Sequence, residues 1–398
     1  MATDTVDQNI EQISACLKKS SKIDQKVWEF VRSSKDVFAA FEAFLKTANI
    51  AMIDKESSVT FENGTTITFA DSNPLNTKEV YQWIASGIKT VNFSSTAHHS
   101  MLLQAITDLG SPRNVSFGCQ GQDSANEPNV PMFSYDSLMN SWDTSHSATI
   151  AKPLIIRCFN SISTLECPAK ALVNFDFQGE IMVLELLKIV AEDQIEITKV
   201  LQKKNIKATR IEVLVTTLKP KVFGANESNN FLRTFDGIKN PRLQAVEAIK
   251  FTIDRFNLDP HFSLHELAKK CQEIFPNLKS FEFHREFVGF TPAGTNMGLP
   301  TPKAPPKFYL ELKNQIMQID PALKVDIGWN ILEFYKPENF KAAVNAYRKI
   351  LGDFVEDPES DMNIMMSKKE KLAENITLYT EFYIMLNMMG DQPMFSFN

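Results

Sequence analysis

The pattern of apolar and polar positions predicts a chain made mostly of helices. In residues 1–50 an apolar stripe recurs at helical spacing, through Ile10, Ile13, Cys16 and Leu17 and on through Val27, Val31, Val37, Phe38, Phe41 and Phe44. Residues 77–88 (TKEVYQWIASGI) and 101–110 (MLLQAITDLG) read as short helices, the second stopping at Gly110 before Pro112. Residues 180–204 (EIMVLELLKIVAEDQIEITKVLQKK) read as one long helix, and residues 241–256 as another with Pro241 in its first turn. Ser263 and Glu266 stand at capping-box spacing before a helix over 263–275. From Phe308 to about Met389 three more helical segments follow, FYLELKNQIMQI, PENFKAAVNAYRKIL and KLAENITLYTEFYIMLNMM.

Strand-like alternation is confined to a few places. Residues 58–69 (SVTFENGTTITF) form the clearest hairpin. A two-residue turn at Asn63-Gly64 would split its four large apolar side chains between two faces. A three-residue loop, Glu62-Asn63-Gly64 with Gly64 left-handed, pairs Phe61 with Thr65 and Val59 with Ile67 and keeps all four on one face, so that register is preferred. Residues 211–218 (IEVLVTTL) alternate as a strand would, and 153–162 (PLIIRCFNSI) fit a buried strand or a short helix. Residues 111–147 form a long polar loop, 291–306 (TPAGTNMGLPTPKAPP) a Pro-rich extended arm, and no internal repeat of fixed period is visible. The expected fold class is therefore mainly α. It has an N-terminal lobe over 1–205 that holds the hairpin, a junction over 206–240, and a C-terminal helical lobe over 241–398.

Composition changes this picture little. The 398 residues suffice for two or three domains, and 30 phenylalanines against 14 glycines favour packed helices. Five scattered cysteines without a C-x-x-C pair argue against a disulfide framework and a zinc knuckle. With no signal-peptide pattern and no long uncharged apolar run, the sequence reads as that of a cytoplasmic protein with no membrane partner.

Charge changes it more. Residues 199–242 hold ten basic side chains against three acidic ones, +7 in a chain whose net charge is −6. Lys203, Lys204 and Lys207 have a structural reason to follow a helix, because cations there favour its dipole. Lys219, Lys221, Arg233, Lys239 and Arg242, in turn-prone sequence, do not, and Phe223, Phe231 and Phe235 interleave with them as in single-strand nucleic-acid sites; Arg210 joins these residues in the candidate RNA-binding set. Arg285, Lys303 and Lys307, with Lys269 and Lys270, supply a candidate opposite wall for a groove. Glycine-rich phosphate loops and common hydrolase signatures are missing, so no enzyme and no cofactor are expected. His261 and His265 stand four apart but straddle the Ser263 cap, and the acidic residues around Pro358 lack a calcium-loop pattern, so no metal is expected either.

The hairpin SVTFENGTTITF, the basic junction, the terminal helical segment and the arm TPAGTNMGLPTPKAPP together resemble, in layout, the nucleocapsid proteins of negative-strand RNA viruses of the plant rhabdovirus-like and varicosavirus type. The resemblance implies single-stranded RNA clamped between two lobes and homo-oligomers joined by an N-terminal helix and the Pro-rich arm. It also implies a place in the virion and the host cytoplasm. The alternatives are a flexuous positive-strand virus coat and a cellular scaffold that binds proteins without nucleic acid.

Overall fold

The fold, seen in a computed structural model, is α/β, with a mixed and mostly parallel sheet in place of the expected mainly α architecture. The structure describes residues 2–19, 25–53, 58–61, 65–68, 75, 77–93, 100–116, 155–158, 160–191, 194–215, 232, 235–254, 262–286, 305–335, 337–360 and 363–386. The polar loop 111–147 from residue 117 onward, and the arm 291–306 up to residue 304, lie outside these residues. The chain divides into two compact units, Met1–Gln120 with Glu127–Leu187, and Gly121–Asn126 with Lys188–Asn398.

In the first unit, helices α1 (Ala2–Lys19), α2 (Gln25–Val31) and α3 (Lys35–Leu45) lead into β1 (Ala48–Ile53) and the hairpin β2 (Ser58–Phe61) and β3 (Thr66–Thr68). Ser34 caps α3, its hydroxyl accepting from the Val37 amide at 3.2 Å. The hairpin takes the three-residue register: Val59 faces Ile67, and the Phe61 amide donates to the Thr65 carbonyl at 2.8 Å. Val59, Phe61 and Ile67 are buried, and Phe61 stacks on Phe44 of α3 at 4.2 Å. The chain continues through α4 (Lys78–Gly87), β4 (Thr90–Phe93), α5 (Ser100–Leu109), β5 (Asn114–Ser116), β6 (Thr164–Pro168) and α6 (Ala169–Asn174). The strand order is β6-β5-β4-β1-β2-β3, parallel from β6 to β1 and antiparallel beyond. Val91, Val115 and Leu165 form a buried row across β4, β5 and β6. The adjacent row, Thr90, Asn114 and Thr164, is polar and half-exposed, with Asn114 Nδ2 donating to Thr90 Oγ1 at 3.1 Å.

Residues of β7 (Met182–Ala191) fall in both units. The second unit holds α7 (Gln194–Leu201), β8 (Ile206–Val215), a 3₁₀ turn (Pro241–Ala245), β9 (Ala248–Asp254) and α8 (Leu264–Ile274). Then come β10 (Ser280–Glu286), α9 (Pro305–Ile316), β11 (Lys324–Tyr335), α10 (Pro337–Ile350), β12 (Val355–Ser360), β13 (Asn363–Ala373) and β14 (Ile376–Leu386). Its order is β8-β9-β10-β11-β14-β13-β12, parallel from β8 to β14 and then antiparallel.

Three expected helices are thus corrected. Residues 180–204 split into β7 and α7, residues 241–256 into a single 3₁₀ turn and β9, and 371–389 largely into β14. In β7 the apolar residues are dense enough to satisfy either period, but Met182 and Leu184 are buried while Val183 and Glu185 are exposed, the period of a strand. In β13 a run rich in Lys, Glu and Met, good helix formers, is held extended by its ladder with β14, so pairing overrides propensity. The Ser263 cap stands as read, with its hydroxyl accepting from the Glu266 amide at 3.2 Å.

One backbone pattern recurs at several strand starts, without any repeat in the sequence. At the start of successive strands, one backbone carbonyl accepts two consecutive amides of the next strand. Lys89 accepts from Arg113 and Asn114, Arg113 from Ser163 and Thr164, and Glu247 from Lys279 and Ser280. The spacing is irregular, from 89 to 113 to 163 in the first unit and from 247 to 279 in the second, because the connecting segments differ in length. No fixed period exists for a sequence to display.

A half-exposed sheet face and its basic edge

Strand order decides what the sheet of the second unit offers. Along β8, β9, β10 and β11 the strands follow chain order without reversal, and β14 takes the next place after the chain has passed through α10, β12 and β13. Among the described residues, the ring contacts that helices and turns make with these strands fall on one face. Phe235 lies against Phe251 at 5.7 Å, Phe262 stacks on Phe283 at 5.8 Å, and Tyr309 of α9 and Tyr347 of α10 meet Phe382 at 6.3 and 5.6 Å. In register these side chains belong to the rows Ile211–Ile249–Phe281–Val325–Ile376 and Val213–Phe251–Phe283–Ile327–Leu378 and to the continuation of β14, all of it buried. The alternate positions point the other way. They include Glu212, Lys250, Glu282, Asp326 and Thr377, polar and half-exposed.

Charges on this open face are organised across strands. Arg210 stands level with Ala248, whose small side chain leaves the guanidinium free to pass over β9. Its Nε donates to Glu212 Oε1 at 2.9 Å and its Nη2 reaches both oxygens of Glu282 at 3.3 Å. Lys188 Nζ lies 3.9 Å from Glu212 Oε2. Farther along, His284 lies 3.9 Å from Asp326, its ring packed over Gly328, where a Cβ would come within 3.3 Å of it. On β14 the hydroxyls of Tyr379 and Tyr383 both donate to the Glu381 carboxylate between them, Tyr383 at 2.9 Å. Burial, with Glu381 adding to it, pushes the Tyr379 hydroxyl up to about 12.

The expected RNA-binding residues scatter over this frame. Asn240 brings part of the belt together. It is 8% exposed, and its Nδ2 donates to the carbonyls of Leu201 at 2.8 Å and Lys203 at 2.9 Å, which places the segment 239–242 beside the end of α7. Lys203, Lys204, Lys239 and Arg242 therefore share one corner of the unit, where the strands begin, and Lys207 follows at the start of β8. Arg210 is committed to two glutamates. Arg285, expected to line a groove wall, sits instead on the helix-covered face at 7% exposure, its guanidinium 5.4 Å from the centre of the Trp329 ring and donating to the Asn330 carbonyl at 3.4 Å. Phe235, expected to interleave with the cations, is buried against Phe251. Lys219, Lys221, Arg233 and Lys303 lie outside the described residues, as do Phe223, Phe231 and His261. Lys307 is in the first turn of α9.

Sequence reasoning missed Lys250, Lys324, Lys369 and Lys371. The alternation of AIKFTID and SFEFHRE marked polar positions on half-exposed strands, but only the strand register shows that they share a face.

Elsewhere the polar groups serve the packing. On the covered face Glu370 accepts from the Tyr309 hydroxyl and from Lys313 Nζ at 3.0 Å, with Lys368 at 3.3 Å. Burial raises the Glu370 carboxyl, and these donors and charges outweigh it and hold the group below its ordinary value. Lys368 also donates to Asp353 at 2.6 Å, which keeps that exposed carboxyl low. In the first unit a cavity of about 10 Å³, lined by Ile155, Leu165, Cys167, Leu172, Phe177 and Met182 among others, has room for one water and nothing larger. Among the described residues no cluster of His, Cys, Asp and Glu is arranged to hold a metal ion, and no helix is long and apolar enough to cross a membrane.

No protein-family model matches the chain, and no curated protein is similar to it. The resemblance to nucleocapsid proteins therefore gains no support from such comparisons.

Proposed function

We propose that the chain is a binding module that presents the open sheet face of its second unit to a protein partner. The observation behind this reading is the arrangement of the parallel strands. Parallel sheets are ordinarily covered on both faces, because their crossovers place helices on each side. Here the strands β8 to β11 advance in one direction and, among the described residues, the contacts from helices and turns lie on one face, while the other carries half-exposed polar side chains. Strand-and-helix solenoids use such a face as an extended surface for partners. The polar bridges Arg210–Glu282 and Glu381 with its two tyrosines hold that surface in one arrangement before anything binds, which lowers the entropy lost on binding.

Site-specific photocrosslinking tests the proposal. A photoreactive residue at Thr252 or Thr377, on the open face, should give discrete protein adducts in an extract of the cells that express the chain. The same residue at Ala346, exposed on α10, should not. Equal adducts from both positions, or adducts that disappear with nuclease, would overturn the reading.

A further inference from the structure

The partner's chemistry can be read from which charges on this surface are already engaged. On the open face Glu212, Glu282 and Glu381 are held by Arg210, Lys188 and the two tyrosines, and Asp326 faces His284. Among the described residues of this face and its edge, Lys204, Lys207, Lys239, Arg242, Lys324, Lys369 and Lys371 make no ion pair. Lys250, flanked in register by Glu212 and Glu282, makes none either. Glu247 at the same edge is taken by Lys279 at 2.9 Å. The Asp320 carboxylate is turned toward Gln272 and the Ala322 amide, which leaves Glu374 in the β13–β14 turn as the edge carboxylate without a partner. Bonds to neutral groups leave the charges of Asp320, Asp326 and Glu381 in place, so these eight cations stand against four carboxylates, and among the described residues the surface keeps a positive excess in a chain of net charge −6.

These cations follow the edge where the parallel strands begin. Lys204, Lys207, Lys239 and Arg242 lie at its β8–β9 end, Lys324 opens β11, and Lys371 stands opposite Thr377 at the start of β14. Six strands from β8 to β13 at about 4.8 Å spacing make an edge of about 24 Å. An extended segment of about seven residues covers that length.

We infer that this edge takes an acidic segment of a protein partner, one rich in Asp and Glu; the inference rests on the open-face reading above. A protein is favoured over RNA because base stacking needs exposed aromatic faces. Phe235, the described aromatic of the basic belt, is buried in the core, and Tyr379 and Tyr383 are tied to Glu381. Carboxylates spaced along an extended strand match a row of separate ammonium groups.

The experiment uses the full chain and two fluorescein-labelled probes of equal charge, a peptide of alternating Glu and Ser and an oligo-uridine, read by fluorescence anisotropy. The peptide should bind at low salt and weaken as salt rises. The triple variant Lys204→Glu, Lys239→Glu, Arg242→Glu should weaken it at least about tenfold, because each charge reversal turns attraction into repulsion near the Debye length. The pair Lys341→Glu, Lys349→Glu on α10, exposed and away from the edge, should change it little. Circular dichroism confirms that both variants fold. Tighter binding of oligo-uridine than of the peptide, no binding of the peptide, or equal losses in both variants each overturn the inference. Crosslinks from Thr252 that persist in the triple variant would leave the open-face proposal standing while this one fails.

Discussion

Replacing Asn240 with alanine removes three hydrogen bonds at one point. Its Oδ1 accepts from the Arg242 amide at 3.0 Å, capping the 3₁₀ turn, and its Nδ2 serves the carbonyls of Leu201 and Lys203. Loss of a cap costs about 1 kcal/mol. The Leu201 carbonyl is buried and would be left unsatisfied, at about 1–3 kcal/mol, while the Lys203 carbonyl is only part-buried and water can replace its donor. The sum is about 3 kcal/mol. With a urea slope of about 3 kcal/mol per molar, that lowers the midpoint of the second unit by roughly 1 M. Asn240→Asp separates the parts of this sum. It retains the cap acceptor but sets a carboxylate oxygen against two carbonyl oxygens, so at pH 7 it should be at least as damaging as alanine. As the pH falls it should recover in part, because a protonated carboxyl can donate to one of them. Urea melts of the three proteins, with hydrogen exchange over 195–206, provide the measurement. An aspartate variant as stable as the parent at pH 7, or an alanine shift below about 0.3 M, would refute the argument.

Other consequences follow from the same geometry. Alkylation of the native protein should label Cys16, which is exposed, and spare Cys158, Cys167 and Cys271, whose thiols burial both shields and pushes up; mass mapping before and after unfolding reads this directly. Tyr379 should ionise near pH 12 in an ultraviolet titration, and Glu381→Gln should bring it down. Since its folded value lies above the ordinary tyrosine value near 10, its contribution to stability is complete below pH 10 and fades as the pH climbs toward 12. Gly87→Ala drives a methyl into the backbone of Lys46, and thermal melts should show a loss of about 3 kcal/mol. Gly179→Ala, where φ is +84° and nothing is close, should cost only about 1 kcal/mol.

What the sequence disclosed depended on how local the information was. The hairpin register followed from the requirement that Val59, Phe61 and Ile67 share a face, and the Ser263 cap from a spacing of three residues. Helices α3, α4, α5, α9 and α10 showed as periodic stripes with polar boundaries. The strands β7 and β14 did not, because Met182–Ala191 and Ile376–Leu386 are apolar enough to read with either period, and their partners are distant in sequence. The candidate site was legible only as an excess of charge. That Arg210 is spent on Glu282, that Arg285 is buried beside Trp329, and that Lys371 shares an edge with Lys204 are properties of strand register, which no window of sequence contains.

The order of the strands in the sheet also bears on how it is assembled. Within the second unit, β9 and then β10 find a template in the strand just made, so the sheet can lengthen as the chain leaves the ribosome. β11 is different. Its far neighbour is β14, some forty residues on, and β12 and β13 attach only through β14. The growing edge at β11 therefore stays unpaired until residues 376–386 emerge. A chain truncated before them would leave the edge of β11 that faces away from β10 without a partner, with Ile327 and Trp329 on the strand's inner face, a surface suited to self-association.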